Sequence, residues 1–341
     1  MRYIRLGKTG LMVSELGFGG IPILRLGAED AVKIVRTAFA GGINFFDTAN
    51  AYQDSESKIG KAFAGMRDKV IIATKTTRRD GKGAAEQLEN SLKMLQTDYL
   101  DLYQLHQVSQ EADWEEASAP GGVLEMVKKA QTAGKIRHLG VTSHSLAMAV
   151  KLIQTGHFST IQFPFNFIEE DANKELFPLA QKMDLGIIAM KPFAGGMLDN
   201  AALAFKYLRQ FPNVVPIPGI YAQREIEEIL AIYQQPNLVT NEDLAAMDKY
   251  RQELGKTFCR RCEYCQPCPN GVFITPIMIY PAVLPRMGDK TAAAMFGQAL
   301  ATAPNCTECG ECLPRCPYEL PIPEMVAKHY ETYQNYLKKT L

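Results

Sequence analysis

The sequence predicts an α/β protein, a (β/α)8 TIM barrel followed by a small α-helical domain that carries every cysteine. Strand and helix patterns alternate eight times up to about residue 233, and this number of βα units favours a closed parallel barrel over an open sheet. All eight cysteines lie between residues 259 and 316, which indicates a separate module. We therefore expect a barrel over 1–238, a linking helix over 239–256 and a second domain over 257–341.

The composition excludes several functional classes. The 341 residues include 37 basic and 37 acidic side chains, so the formal net charge is zero, and nothing indicates nucleic-acid binding or an anionic membrane surface. No apolar run approaches the roughly 18 residues that a membrane helix needs, and the first residues do not resemble a signal peptide. We expect a cytoplasmic protein. In a reducing cytosol, closely spaced cysteines are more typical of metal or cluster ligands than of disulfides.

The barrel elements are predicted in order after an N-terminal hairpin and an inner strand that ends at 17–20. The predicted helices are 31–40, 55–64, 84–96, 123–132, 146–154, 174–183, 200–210 and 223–233. They alternate with strands 43–47, 70–74, 99–105, 136–141, 160–163, 185–190 and 213–217. The longest connection, 106–122, is interpreted as a substrate lid, because long loops inside compact folds are usually functional or disordered. Its tryptophan, Trp114, either lines the pocket or covers apolar surface.

Three of the predicted strands end at a side chain that can take part in catalysis. Asp47, Lys75 and His106 stand at or just after these strand ends, and Tyr52 follows Asp47 by five residues. The carboxyl ends of parallel barrel strands meet at one end of the barrel, which we call the mouth, and catalysis occurs there. Each residue alone has an ordinary structural explanation, such as a surface aromatic or a helix cap. The ordered set of four favours a single site.

This set resembles the catalytic tetrad of the aldo-keto reductases, and the resemblance covers roughly residues 1–235. It implies reduction of an aldehyde or ketone with NAD(P)H. Tyr52 would donate the proton, and Lys75 would make the phenol a stronger acid, because an adjacent ammonium favours the phenolate. Asp47 would keep Lys75 charged and oriented. His106 would hydrogen-bond the carbonyl oxygen and fix the angle of the substrate.

The resemblance also implies where the nicotinamide cofactor binds. The implied cofactor-binding residues are Thr142, Ser143, Gln162, Met190, Gly195, Gly196, Gly219 and Arg224. Thr142, Ser143 and Gln162 would hold the carboxamide, and the glycines would bind the pyrophosphate through backbone N–H groups.

Two positions depart from the family pattern. Met190 stands where the family often has an aromatic that stacks on the nicotinamide. Gly219 and Glu225 stand where NADPH-preferring members carry a lysine and an arginine, with Arg224 one residue away. Because a glutamate repels a 2′-phosphate, the sequence favours NADH over NADPH. FMN, which also carries a phosphate, stays open as a cofactor.

The cysteines form two runs that predict two [4Fe–4S] clusters. The runs are Cys259-x2-Cys262-x2-Cys265-x2-Cys268 and Cys306-x2-Cys309-x2-Cys312-x3-Cys316, each followed by a proline. The second run matches the bacterial ferredoxin pattern, and the first is one residue shorter. Structural zinc is the alternative, but four-cysteine zinc sites usually pair two C-x2-C motifs across a longer gap. Helices are predicted over 277–297 and 323–339, so the module resembles an α-helical dicluster ferredoxin.

The ligand pairing follows from two-cluster ferredoxins, in which the fourth cysteine of each run ligates the other cluster. One predicted set is Cys259, Cys262, Cys265 and Cys316, and the other is Cys306, Cys309, Cys312 and Cys268. The chain thus resembles a subfamily of aldo-keto reductases with a ferredoxin-like C-terminal domain. The clusters could be structural, sensory or electron-transferring. The alternatives to a carbonyl reductase are an electron-transfer protein with a flavin or nicotinamide and a redox partner protein, and a redox or iron sensor.

Overall fold

The computed structural model describes residues 1–255, 257–261, 263–316 and 318–340. The described residues form two compact units. The barrel unit comprises Met1–Pro192 and Asn200–Val239, and the cysteine unit comprises Phe193–Asp199 and Thr240–Leu341. No helix among the described residues is long and apolar enough to cross a membrane.

Eight parallel strands form the barrel after an antiparallel hairpin of β1 (Tyr3–Arg5) and β2 (Met12–Ser14). The barrel strands are β3 (Phe18–Gly19), β4 (Phe45–Asp47), β5 (Ile71–Thr76), β6 (Leu100–Leu105), β7 (Ile136–Thr142), β8 (Thr160–Pro164), β9 (Gly186–Met190) and β10 (Val214–Ile217). They pair in chain order from β3 to β10. The ring closes where the N–H groups of Gly17 and Gly19 donate to the carbonyls of Pro216 and Pro218 at 2.9 and 2.8 Å. The predicted (β/α)8 barrel is confirmed.

The helices of the barrel unit follow the barrel strands along the chain, and all but α4 lie close to their predicted positions. They are α1 (Ala28–Ala40), α2 (Ser55–Ala62), α3 (Gly81–Leu95), α4 (Glu111–Ser118), α5 (Val123–Thr132), α6 (Leu146–Gln154), α7 (Leu176–Lys182), α8 (Ala201–Leu208) and α9 (Gln223–Gln234). Several begin at a side-chain cap, which satisfies a backbone N–H that has no partner within the helix. Asp80 accepts from Gly83 N at 2.6 Å and Asn200 from Leu203 N at 3.0 Å.

Helix α4 corrects one expectation, since 106–122 was predicted to be a loop. Its capping box, formed by Gln110 and Asp113, starts a short helix that buries only Ala117, so no apolar periodicity marked it in the sequence. The Trp114 ring lies 5.9 Å, centroid to centroid, from the rings of both His157 and Phe158. These two residues precede β8, at the end of the barrel opposite the mouth. Trp114 therefore packs on these two rings, as expected for a side chain that covers apolar surface.

The end of the barrel opposite the mouth is closed by apolar side chains of the hairpin. Leu6 and Val13 are buried and pack with Phe45, Leu102 and Val215 inside the barrel. This packing fills the lower interior of the barrel with apolar side chains.

The cysteine unit is helical, as predicted for the C-terminal region. It contains α10 (Asn241–Gly255), α11 (Ile274–Met287), α12 (Asp289–Leu300) and α13 (Ile322–Thr340). The region 277–297 is helical as predicted, but it is divided into two helices at Gly288, whose positive φ (+74°) ends α11 and starts α12. Ile277, Tyr280 and Leu300 are fully buried at the centre of this unit, and partly buried cysteines pack against this core.

Helix α2 packs on α3 at Gly60 so closely that we predict a strong effect of Gly60→Ala. A Cβ atom there would lie 2.5 Å from the carbonyl oxygen of Met94 and 2.8 Å from Leu95 Cα, and neither is the end of a flexible side chain. We expect a loss of about 1–3 kcal/mol in the free energy of unfolding, measured by chemical denaturation. The control is Gly27→Ala, where nothing lies within 4 Å of the added Cβ. Equal stability of the two variants would contradict the close packing.

Candidate active site

The structure brings the four predicted side chains together at the mouth. Asp47 ends β4, Lys75 lies in β5 and His106 directly follows β6. Lys75 Nζ donates to Asp47 Oδ1 at 2.5 Å and to the Thr48 carbonyl at 2.6 Å. It also lies 5.1 Å from the centroid of the Tyr52 ring. That ring meets the His106 ring edge-on at a centroid distance of 5.6 Å.

Lys75 is a charged group in a fully buried position. Burial by itself lowers the pKa of Lys75, but the Asp47 carboxylate and the Tyr52 phenol outweigh burial and raise this pKa above its ordinary value. The ammonium form is therefore retained at neutral pH. Because Lys75 also hydrogen-bonds Tyr52, the same ammonium favours the phenolate form of Tyr52.

Asp47 is held by a network of amide groups that extends across the barrel. Burial raises the pKa of Asp47, while the Lys75 ammonium and the Gln104 amide oppose that shift. Gln104 Nε2 lies 3.0 Å from Asp47 Oδ2 and 3.0 Å from Gln162 Oε1. Gln104 was not predicted as a site residue. The sequence pattern could have identified Gln104. It is a polar residue two positions before His106, on the same inward-facing side of β6.

Gly140 makes room for this network. A Cβ atom on Gly140 would lie 3.1 Å from Gln104 Cγ and 2.2 Å from Thr160 Oγ1. Any larger residue at this position in β7 would therefore displace the Gln104 side chain, and with it the amide that holds Asp47.

His106 is a neutral imidazole at physiological pH. Burial, together with the positive charges of Lys75 and Arg79, lowers the pKa of His106 to about 3. Its Nδ1 atom is buried and has no hydrogen-bond partner among the described residues. A buried N–H without an acceptor costs about 1–3 kcal/mol, so the tautomer with the proton on Nε2 is favoured. Nε2 is then a hydrogen-bond donor.

The residues implied for the nicotinamide carboxamide are buried at the ends of β7 and β8, and they also hold neighbouring segments. Thr142 Oγ1 accepts from Gln107 N at 2.7 Å, and Ser143 Oγ lies 3.2 Å from the Ser145 carbonyl. Gln162 accepts from Gln104 in the network described above. Met190, the residue at the position of the stacking aromatic, ends β9 and is partly exposed.

The other implied cofactor residues have separate surroundings. Gly195 and Gly196 adopt left-handed conformations (φ +77° and +97°) in the part of Phe193–Asp199 that belongs to the cysteine unit. Gly219 bridges to Gly19 where the barrel closes. Arg224 is exposed in the first turn of α9.

Glu225, the basis of the predicted NADH preference, caps α9. Its Oε2 accepts from the backbone N–H groups of Tyr221 and Ala222 at 3.0 and 3.1 Å. These bonds keep a negative charge in the first turn of the helix, next to Arg224. The structure thus assigns Glu225 a structural role in addition to its charge.

A basic pair that the sequence analysis did not single out lies at the ends of β7 and β9. Lys191 Nζ lies 2.9 Å from His144 Nε2.

Asn166 holds a turn next to this pair. The Lys191 carbonyl accepts from Asn166 Nδ2 at 3.0 Å, and Asn166 Oδ1 accepts from the N–H groups of Ile168 and Glu169. Asn166 therefore serves as a turn residue.

The cysteines of the second unit line two recesses. One recess is lined by Cys265, Cys268, Cys306, Cys309 and Cys312. Burial raises the pKa of the Cys312 thiol, and the neighbouring Cys306, Cys309 and Cys268 add to this shift.

The second recess is lined by Cys259, Cys265 and Cys316, and Cys262 lies outside the described residues. Among the described residues, no three or more His, Cys, Asp or Glu side chains are placed to hold a single metal ion. A [4Fe–4S] cluster instead takes one thiolate per iron, so its four ligands need not converge on one point. The two recesses fit such ligand sets.

Two family models match the chain. Residues 15–203 match the aldo/keto reductase family, and residues 258–321 match a 4Fe-4S dicluster domain. The uncharacterized oxidoreductase YrpG of Bacillus subtilis is 33% identical over 233 residues, which cover 60% of this chain and 70% of that protein. The L-galactose dehydrogenase of Arabidopsis thaliana is 31% identical over 217 residues, or 57% of this chain and 66% of that protein.

Solved structures share the fold. An aldo-keto reductase of Bacillus halodurans in its holo form has a TM-score of 0.63 at 24% identity, over 73% of this chain and 96% of that structure. An aldo-keto reductase of Klebsiella pneumoniae in complex with NADPH has a TM-score of 0.60 at 24% identity, over 73% of this chain and 95% of that structure.

The buried pair of Lys75 and Asp47 leads to a prediction for stability. Lys75→Met leaves the Asp47 carboxylate buried without its counter-ion, so we expect a loss of about 3–5 kcal/mol in the free energy of unfolding. The double variant with Asp47→Asn should lose less than the sum of the two single changes. Chemical denaturation measures all three. Lys69→Met, at an exposed lysine, is the control. Additive effects of the two single changes would contradict a coupled pair.

Proposed function

We propose that this chain, which belongs to the aldo/keto reductase family, reduces an aldehyde or ketone to an alcohol with a nicotinamide cofactor. The family resemblance seen in the sequence is thus confirmed, and the chain is an oxidoreductase of that family with a 4Fe-4S domain. The observation that carries the proposal is the buried ammonium of Lys75, paired with Asp47 and placed beside Tyr52.

The chain's own side chains supply the acid chemistry of such a reduction. When bound, the nicotinamide cofactor would supply the hydride that adds to the carbonyl carbon. Tyr52 donates its phenolic proton to the developing alkoxide, and the Lys75 ammonium stabilises the phenolate that remains. Asp47 keeps Lys75 charged. His106 donates a hydrogen bond from Nε2 to the carbonyl oxygen, which polarises the carbonyl and orients the substrate.

Thr142, Ser143 and Gln162 would hold the carboxamide of the cofactor. Support for a nicotinamide comes from the relative of similar fold that is described in complex with NADPH. We retain the preference for NADH as a prediction, because the carboxylate of Glu225 lies in the first turn of α9, where it would repel a 2′-phosphate. FMN stays open as an alternative cofactor.

In the dicluster domain, the proposed ligand sets are those predicted from the sequence. Cys268, Cys306, Cys309 and Cys312 line one recess together with Cys265. The presence of Cys268 beside the second run supports the set that contains it. Cys259, Cys265 and Cys316 line the other, and Cys262 would complete that set. Bound clusters would supply single-electron chemistry, whereas the family's reduction transfers two electrons as a hydride.

Replacing Tyr52 tests the catalytic assignment. We expect Tyr52→Phe to lower kcat/KM for aldehyde reduction by about 10²–10⁴-fold, because the variant has no proton to donate. Tyr3→Phe is the control, since Tyr3 lies in the N-terminal hairpin and is 46% exposed. Cofactor oxidation in the presence of aldehyde measures the rate. Undiminished carbonyl turnover in Tyr52→Phe would exclude the proposed acid.

The dicluster domain favours one other function, an electron-transfer protein that couples a flavin or nicotinamide to the clusters and a partner protein. Anaerobic protein mixed with NADH or NADPH separates the two functions. We expect aldehyde-dependent oxidation of the cofactor with no bleaching of the cluster absorption, because a hydride carrier needs a flavin-type intermediary to reduce one-electron centres. Bleaching without aldehyde turnover would favour electron transfer over carbonyl reduction.

The cluster pairing is tested in a background that lacks Cys306, Cys309 and Cys312, all changed to alanine. This background should retain about half of the iron, as a single cluster. Adding Cys316→Ala should remove the remaining iron, whereas adding Cys268→Ala should leave it in place. Iron analysis and electron paramagnetic resonance of the reduced protein give the readout. The opposite pattern would show that each run binds its own cluster.

A further inference from the structure

Arg79 is a buried arginine beside the active site, and its positive charge contributes to the low pKa of His106. It follows β5, which carries Lys75, and is 8% exposed. Its Nη2 donates to the carbonyls of His106 and Gln107 at 2.8 and 3.3 Å. Its Nε lies 3.4 Å from Asp113 Oδ1, at the start of α4. One guanidinium thus connects the loop after β5, the turn after β6 and α4.

The turn that Arg79 holds is an unusual one. Gln107 adopts a left-handed conformation (φ +59°), which residues other than glycine rarely adopt. Two backbone N–H groups of this segment are bound on the other side by Thr142. Its Oγ1 accepts from Gln107 N at 2.7 Å, and its carbonyl accepts from Val108 N at 2.9 Å. Arg79 and Thr142 therefore clamp the peptide that places the His106 ring.

The charged groups around His106 come from four segments. Lys75 approaches from β5 and Arg79 from the loop after it, and both are cationic. Asp47 in β4 is paired with Lys75, and Asp113 on α4 is paired with Arg79 but is one-third exposed. The Tyr52 ring packs on the remaining side. A positive charge on the imidazole would thus lie next to two cations. Both nearby carboxylates already form ion pairs with those cations.

We propose that Arg79 is a positioning residue for His106, which clamps the turn after β6 and keeps a second positive charge off the imidazole. This inference rests on the proposed carbonyl reduction. In that reaction the imidazole must remain neutral, because an imidazolium is a stronger acid than a phenol. A charged His106 would therefore compete with Tyr52 as the proton donor and would repel the Lys75 ammonium.

The pKa of His106 can be measured without any turnover. The chain has five histidines, and the His106 ring signals in a nuclear magnetic resonance spectrum can be identified by their loss in His106→Asn. The full-length protein, prepared anaerobically with oxidised clusters, would be titrated from about pH 8 to about pH 4.5. The wild-type ring should show almost no protonation over this range, in line with its pKa of about 3.

Two substitutions separate the charge of Arg79 from its geometry. Arg79→Gln removes the cation, so we expect the pKa of His106 to rise by roughly one unit, with protonation visible at the acid end of the titration. Arg79→Lys keeps the cation, so the pKa should stay low, but it replaces the planar fork, whose Nε and Nη2 atoms reach Asp113 and the two carbonyls, with a single donor nitrogen. Arg78→Gln is the matched control, because Arg78 is the exposed neighbour and should leave the titration unchanged.

Kinetics test the clamp. For Arg79→Lys we expect a lower kcat for aldehyde reduction, at least about tenfold, with the same pH profile as the wild type. For Arg79→Gln the loss of activity should in addition grow at acid pH. Superimposable His106 titrations of folded Arg79→Gln and wild type would overturn the charge role, and wild-type kcat in Arg79→Lys would overturn the clamp. A protein that shows these His106 shifts but reduces no carbonyl would refute the proposed function and leave the electrostatic role of Arg79 supported.

Discussion

The active site depends on one interaction, the buried ion pair between Lys75 and Asp47. An isolated ammonium in the barrel would lose its proton, because burial disfavours the charged form. Asp47 prevents this, and its second carboxylate oxygen is held by Gln104. Strand register sets the pair in place, since Asp47 in β4 lies opposite Ala73 of β5, two residues before Lys75. In the proposed reaction, Tyr52 acts as the acid because this arrangement retains the charge of Lys75 beside it.

The barrel keeps this charge network away from its apolar core by giving its two ends different compositions. Leu6 and Val13 of the hairpin close one end with buried apolar contacts, whereas the strand ends at the mouth carry Asp47, Lys75 and His106. The two cations nearest His106, Lys75 and Arg79, also belong to the mouth. The imidazole is neutral because it is buried and because these two cations add to the lowering of its pKa. The buried Nδ1 atom without a partner among the described residues makes Nε2 the donor nitrogen.

The cysteine unit has its own apolar core, centred on Ile277, Tyr280 and Leu300, and its cysteines pack against that core. The proposed hydride chemistry and the proposed single-electron chemistry thus belong to two separately packed units of one chain. Their redox equivalents differ, since a hydride carries two electrons and a cluster accepts one. The number of electrons per transfer therefore decides whether the two units can exchange them directly or need an intermediary.

The sequence by itself determined the features that depend on local pattern and spacing. These are the alternation of eight strands and helices, the tetrad at strand ends, and the cysteine runs. It did not determine α4 or the break at Gly288, because a short capped helix and one left-handed residue leave little periodicity. Only the tertiary structure decided the roles of Gln104, Gly140 and Arg79. Their effects arise from groups on other strands and loops, whose distance, burial and charge are set when the barrel closes.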